Sequence, residues 1–257
     1  MKDTFLSVVI PSYNETENLK SGVLDDVEAY LKKQKYSWEV FISDDGSPEP
    51  EARNLARDFC QRHENFTFLE NEHGGKAFAL WAGIKKASGR IVLITDMDQS
   101  TPISEVGKIL PYYQEGYGVV IGSRGVERKN FSLLRKVGSV VFKIFRQIFL
   151  LPNIVDTQAG FKSFKLEIGL EIFPRLQIIR QGITGAKGWS VGSWDSEFLF
   201  IADKSGHKVK EVPIAWENRD LSVGTKQSGT GKYLAESIEM IQQIFRIRLN
   251  DLRGFYK

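Results

Sequence analysis

Five short apolar runs separated by segments of helical spacing fill the first half of the chain, and this alternation most narrows the folds open to it. "FLSVVIP" is closed by Pro11, and "ETENLKSGVLDDVEAYLKKQ" then carries Leu19, Val23, Val27, Tyr30 and Leu31 at helical intervals. "WEVFIS" precedes a turn and the helical "EARNLARDFCQRH"; "FTFLE" precedes "GGKAFALWAGIKKASG"; "RIVLIT" precedes "ISEVGKILPYYQEG"; and "YGVVIGSR" is the fifth run. Apolar strands alternating with helices predict an α/β chain with a mostly parallel, Rossmann-like sheet covered by helices on both faces.

The second half is less regular. "RKVGSVVFKIFRQIFLL" reads as helical, "AGFKSF" as a strand, "WDSEFLFIADKSG" as a helix with a glycine stop, and "HKVKEVPIAW" as an edge or bulged strand because of Pro213. A polar stretch, "NRDLSVGTKQSGTGK", leads to a final helix from Tyr233 to about Leu252. No linker divides the chain, so all of residues 1–257 are expected to form one domain.

In an open parallel sheet, ligands bind at the carboxyl ends of the strands. Three polar clusters are expected there: "PSYNE" after the first strand, "SDDGSP" after the second and "TDMDQS" after the fourth. Each alone fits an ordinary turn or helix cap. Together they point to one ligand site. Asp96 and Asp98 are two apart in an extended segment, so both carboxylates lie on one side. Like charges so close raise each other's pKa unless a cation joins them. With no histidine or thiolate nearby, the pair suits Mg2+ or Mn2+, hard ions that complete their shells with water and phosphate oxygens. A metal-bound diphosphate is the natural ligand.

Composition limits the alternatives. Hydrophobic residues make up 42% and aromatic residues 12%, the composition of a folded globule. The net charge of +3 suits an anionic ligand and is too small to argue for nucleic acid. The single cysteine, Cys60, cannot form an internal disulfide, which favours a reducing compartment. The opening apolar run is too short for a signal peptide, and no stretch nears 18 uninterrupted apolar residues, so any membrane contact is expected to be peripheral. His63, His73 and His207 are scattered and read as structural or surface residues, although "GGK" after His73 lies where a backbone could approach the ligand.

The blocks "VVIPSYNETENL", "ISDDGSPE", "HGGKAFALWAGIKKASGRIVLITDMDQSTP", "VVIGSR", "DTQAGFKSF" and "WDSEFLFIADKSGHKVKEVPIAW" resemble, in order, those of family 2 glycosyltransferases with the GT-A fold. The resemblance runs from about Ser7 to Trp216 and is strongest to the dolichyl- or polyprenyl-phosphate glucosyl- and mannosyltransferases, with "DTQAGFK" nearer the glucosyl members. It implies inverting, metal-dependent transfer of a hexose, glucose favoured, from UDP-glucose or GDP-mannose to a polyprenyl or dolichyl phosphate. The alternatives are mannose from GDP-mannose to the same lipid, or a cell-surface glycan as acceptor.

By the same resemblance, residues 1–125 would form the nucleotide-sugar half and 126–257 the acceptor half. Pro11, Tyr13 and Glu15 would line the nucleotide pocket, Asp45 would reach the base or ribose, and Asp96 and Asp98 would hold the metal and diphosphate, with Met97 between them in the donor-binding set. Arg124, Arg135 and Ser139 would face the acceptor phosphate. Lys226 would meet the diphosphate, with Lys232 as its competitor. Ser100 stands where mannosyl members often carry glutamine, with Gln99 just before it. A processive-synthase Gln-x-x-Arg-Trp motif is missing, which favours transfer of a single sugar. Asp195 and Glu197 read either as contacts to sugar hydroxyls or as a capped helix start.

Leu134, Val137, Val141, Ile144, Phe145 and Ile148 recur on one helical face, with Arg135, Lys136, Lys143 and Arg146 on the other. Such a helix either lies in a membrane interface or packs on the sheet. The final helix, with Leu234, Ile238, Ile241, Phe245 and Leu249 beside Arg246, Arg248 and Arg253, has the same two readings. The expected location is peripheral, on the cytoplasmic face of a membrane.

Overall fold

The computed structural model describes residues 3–124, 147, 149–183, 194–221 and 230–256, with no side chains described for 230–240. Arg135, Ser139 and Lys226 lie outside the described residues, as does nearly all of the first amphipathic helix; Lys232 falls where only the backbone is described.

Seven strands form one sheet in the order β3-β2-β1-β4-β6-β5-β7. They are β1 (Leu6–Ser12), β2 (Trp38–Asp44), β3 (Phe66–Glu70), β4 (Ile91–Ile94), β5 (Val119–Ser123), β6 (Lys162–Lys165) and β7 (Val209–Pro213). β1 pairs in parallel with β2 and β4, β2 with β3, and β5 with β7. β6 alone runs antiparallel, between β4 and β5. The α/β class expected from sequence is therefore present, with one reversed strand inserted next to the central β4. Among the described residues β7 pairs only with β5, which makes it the edge strand there, one of the two readings that Pro213 signalled.

Period-2 alternation sends neighbouring residues of one strand to opposite faces. On β1, Val9 enters one apolar cluster with Leu80, Ile84, Phe164 and Phe198, while Val8 and Ile10 enter the other with Leu24, Val27, Leu31 and Phe59. The first cluster lies under α4 (Lys76–Lys86), α6 (Leu166–Ile172) and α8 (Trp194–Lys204); the second lies under α2 (Val23–Leu31) and α3 (Pro50–Arg62). Two sandwiched faces leave the strand tips as the polar edge.

Three helical readings need correction. The segment after β1 is not one helix but two, α1 (Thr16–Lys20) and α2, because Gly22 takes a left-handed φ of 84° between them. The segment 103–113 is a short α5 (Val106–Ile109) flanked by 3-10 turns, the second of which opens at Leu110-Pro111, where proline lacks the amide an α-helix needs. The last helix, α9 (Thr230–Leu252), begins three residues earlier than expected. Two helices went unread: α6, which carries Gly169, and α7 (Gln177–Gln181), too short to show a period. Among the described residues, no helix is long and apolar enough to cross a membrane.

Candidate active site

The carboxyl ends of β1, β2 and β4 converge as expected. Asp44 accepts from the Ser47 amide (2.9 Å) and hydroxyl (2.5 Å), and the Ser47 hydroxyl in turn accepts from the Asn14 amide at 2.9 Å. This ties the first tip to the second. The next residue, Asp45, is fully buried and accepts from the amides of Gly74 and Gly75, each at 2.9 Å to Oδ1. Its Oδ2 lies 2.9 Å from His73 Nδ1. Burial pushes the Asp45 carboxyl up, against the pull of those donors. His73 stacks on Tyr13 with ring centroids 4.8 Å apart, so of the two readings of this histidine, structural or surface, the structure shows the structural one.

After β4 the chain turns sharply. Gln99 adopts a positive φ of 49°, a sparsely populated conformation for a residue with a side chain, and its Nε2 donates to the Asp96 carbonyl at 2.8 Å. Met97 is buried beneath this turn. Asp98 Oδ1 accepts from the Ser100 amide at 2.8 Å. The segment after β7 lies across the turn: the Glu217 amide donates to the Ser100 carbonyl and the Arg219 amide to the Ser100 hydroxyl, at 2.8 and 3.1 Å.

The two acids experience different fields. Withdrawal from water would raise Asp96, but Lys76 Nζ at 2.5 Å, with the charges of Lys162 and Arg124, holds it below the usual carboxylate range. Burial and the Asp96 charge raise Asp98, outweighing its bond from Ser100. Glu15 is pushed up to about 7, first by burial and then by Asp220, Asp98 and Asp96, although Asn18 donates to it at 2.5 Å. The Asp96 charge adds to the rise of both Asp98 and Glu15, a repulsion that a bound cation would relieve. Among the described residues no cluster of three or more classical ligands forms, which leaves Asp96 and Asp98 as a candidate donor set of two carboxylates. That set fits a hard divalent ion that draws its remaining ligands from water and phosphate.

A neighbouring cluster surrounds Arg124. Asp156 takes its guanidinium in a two-pronged pair, Nε at 2.8 Å and Nη2 at 2.9 Å, and also accepts from its amide. Burial would raise Asp156, but Arg124 overrides it and brings the carboxyl down to about 2. Glu211 on β7 fixes the loop below by accepting from the amides of Val155 and Asp156, each at 2.7 Å. Trp216, 42% exposed, lies 5.8 Å from the guanidinium. Sequence reasoning singled out Arg124 but missed Asp156, Glu211, Lys76 and Lys162. Asp156 and Lys162 bracket "DTQAGFK" and Lys76 ends "GGK", so the motifs held the signal without the pairing.

The Glu15 environment sets a pH effect. Its folded pKa of about 7 exceeds the ordinary 4.5, so between those values the folded chain binds the extra proton. Stability therefore falls as pH rises through that window, and Glu15→Gln removes this part of the fall. Melting temperatures of both proteins at pH 5, 6 and 7, without divalent ions, check it; parallel curves refute it.

The chain belongs to glycosyl transferase family 2, whose pattern matches residues 7–173. It is 31% identical over 272 residues to a dolichyl-phosphate beta-glucosyltransferase of Dictyostelium discoideum, covering 98% of this chain and 76% of that one. A protein of the same description from Saccharomyces cerevisiae is 29% identical, covering 100% of this chain and 78% of that one. Among solved structures, a mannosyltransferase from Pyrobaculum calidifontis in complex with GDP-Man and Mn2+ superposes with a TM-score of 0.63 at 20% identity, covering 97% of this chain and 65% of that one. This last likeness shows the GT-A fold.

Proposed function

We propose that the protein transfers glucose from UDP-glucose to dolichyl phosphate, or a related polyprenyl phosphate, with inversion and with the help of Mg2+ or Mn2+. The near full-length similarity to dolichyl-phosphate beta-glucosyltransferases carries this reading. The paired acids at the strand tips give it a physical basis.

Asp96 and Asp98 would hold the divalent ion. Such an ion supplies Lewis-acid neutralisation of charge on the departing nucleoside diphosphate. Pro11, Tyr13, Glu15 and Asp45 are assigned to the nucleotide pocket, and Met97 supports the turn from below. Lys76, ion-paired to Asp96, places an ammonium where diphosphate charge would gather. Arg124 is assigned to the acceptor phosphate, with Arg135 and Ser139, and Lys226 to the diphosphate. Asp156 would fix the Arg124 fork so that its remaining donors keep one direction.

A phosphate monoester with a second pKa near 6 is mostly dianionic at neutral pH and is already a nucleophile. No side chain need remove a proton. The protein's task is alignment behind the anomeric carbon, which can supply much of the rate enhancement. A single displacement on an α-linked donor yields the β-linkage in the relatives' name.

Incubating the protein and Mn2+ with lipid phosphate and radiolabelled UDP-glucose or GDP-mannose tests the reading. Label from UDP-glucose is expected in the organic phase; label from GDP-mannose alone reassigns donor and sugar, and none from either rejects the acceptor.

We also propose peripheral attachment to the cytoplasmic face of a membrane. On α9, Ile241, Phe245 and Leu249 are exposed on one stripe, with Leu252 83% exposed just beyond. Apolar residues flanked by Arg246, Arg248 and Arg253 suit an anionic leaflet, where each cation near the surface adds about 1 kcal/mol. Flotation with phosphatidylserine vesicles is expected; recovery wholly in the soluble fraction refutes it.

A further inference from the structure

We propose that Lys162 is a positioning residue that holds the Asp195 carboxylate against the hexose of the donor, and that Asp195, not Glu197, is the acid of α8 that touches sugar. This rests on the reading of the cleft as a nucleotide-sugar site.

Residues two apart on a helix are separated by about 200°, so the two acids of "WDSE" cannot serve one place. Glu197 turns into the core. It is 1% exposed and accepts from the Tyr256 hydroxyl at 2.6 Å and the Gln177 amide at 3.0 Å. Both partners belong to the protein, and the three together bind α7, α8 and the C-terminal segment. Asp195 turns the other way, with a partly exposed side chain. It pairs with Lys162, whose ammonium also bonds the Ala159 carbonyl, and the next residue, Gly160, lies against the Asp96 carboxylate. Burial, and after it the Asp96 charge, raises the Asp195 carboxyl against the pull of Lys162 and Lys76.

Lys162 explains how Asp195 is held there. It sits on β6 opposite Ile94 of β4 and Ile121 of β5, in the middle of the sheet. Its side chain is only 1% exposed, and its Nζ lies 2.8 Å from Asp195 Oδ1. The same ammonium donates to the Ala159 carbonyl and lies 5.6 Å from the centre of the Trp194 ring. An ammonium buried at this depth costs several kcal/mol to desolvate, and its pairing seldom stabilises a fold more than apolar packing would. The pair is therefore poorly explained by stability, and it lies beside the Ala159-Gly160 segment that the Asp96 carboxylate packs against.

Charge decides which part of the substrates Asp195 meets. An anionic carboxylate repels the acceptor phosphate and the donor diphosphate alike. The hexose between them is neutral and rich in hydroxyl donors, which a fixed carboxylate accepts strongly. Of the donor's groups, the hexose is therefore the one that a carboxylate held here fits.

UDP and UDP-glucose share every group except the hexose, so their affinities separate the roles. Calorimetric titration with each ligand in the presence of Mn2+ is compared for wild type, Asp195→Asn, Lys162→Met and the double variant. Asp195→Asn is expected to weaken UDP-glucose about tenfold or more and leave UDP unchanged. Lys162→Met is expected to show the same selective loss, with the double variant no weaker than the worse single one, because the two act as a unit. Equal losses for both ligands, or no loss for either, in Asp195→Asn overturn the inference, and this variant decides the sugar contact even if Lys162→Met does not fold. Additive losses overturn the assignment of Lys162. Wild-type protein that binds neither ligand overturns the donor reading itself, a result distinct from the others.

Discussion

Asp98→Asn lowers sugar transfer about a thousandfold while the melting temperature of the ion-free protein stays level or rises. The first half follows from the work assigned to the pair. Neutralising a leaving diphosphate contributes several kcal/mol, and about 4 kcal/mol corresponds to three decades of rate. Asparagine keeps the shape of the turn, since its side-chain oxygen can still accept from the Ser100 amide. What disappears is one negative charge beside Asp96.

The second half follows from the field. Burial and Asp96 raise the Asp98 carboxyl, so its ionised form is disfavoured in the folded chain. Removing that charge relieves repulsion. A variant that is no less stable yet inactive, with weakened Mn2+ binding measured by electron paramagnetic resonance, fits a cation grip. Near-normal turnover contradicts it, and lost stability would mean that Asp98 serves the fold instead.

The sequence made the strand tips legible because continuous apolar runs, buried on both faces, end abruptly in acids and turn residues. Asp45, Asp96 and Asp98 are placed by their own strands, so local pattern was enough to find them. The reversed strand was legible as "AGFKSF" but its direction was not, since alternation is the same whichever way a strand runs. Lys162 was hidden for a related reason. A lysine amid apolar residues reads as a solvent-facing position, and only the sheet order reveals that β4 and β5 close over it.

Pairings distant in sequence stayed invisible. Asp156 and Arg124 are 32 residues apart, and Glu211 lies 55 residues beyond Asp156. His73 looked unremarkable until Tyr13 stacked on it. The doublet Asp195 and Glu197 carried two readings in sequence because helical geometry splits them. For Glu197 the structure supplies a core partnership with Tyr256 that no local pattern could announce.

Gly160→Ala is expected to cut activity about a hundredfold with only a small loss of stability. A Cβ built at Gly160 falls 1.7 Å from Asp96 Oδ2 and 2.5 Å from Cγ, so the two cannot coexist. The obstructing atoms are the end of a side chain, and the cheapest relief is rotation of the Asp96 carboxylate away from the loop. That motion costs the fold little, but it breaks the 2.5 Å pair with Lys76 and moves one of the two carboxylates proposed to hold the ion. Displacement of a reacting or binding group by about 1 Å commonly costs a hundredfold in rate. Charge is unchanged in this variant, which separates orientation from the charge effect of Asp98→Asn. Calorimetry with Mn2+ and UDP should show weakened binding in Gly160→Ala, and the melting temperature should stay within a few degrees of wild type. Full activity would show that the working enzyme does not need Asp96 in the orientation that the loop before β6 leaves room for.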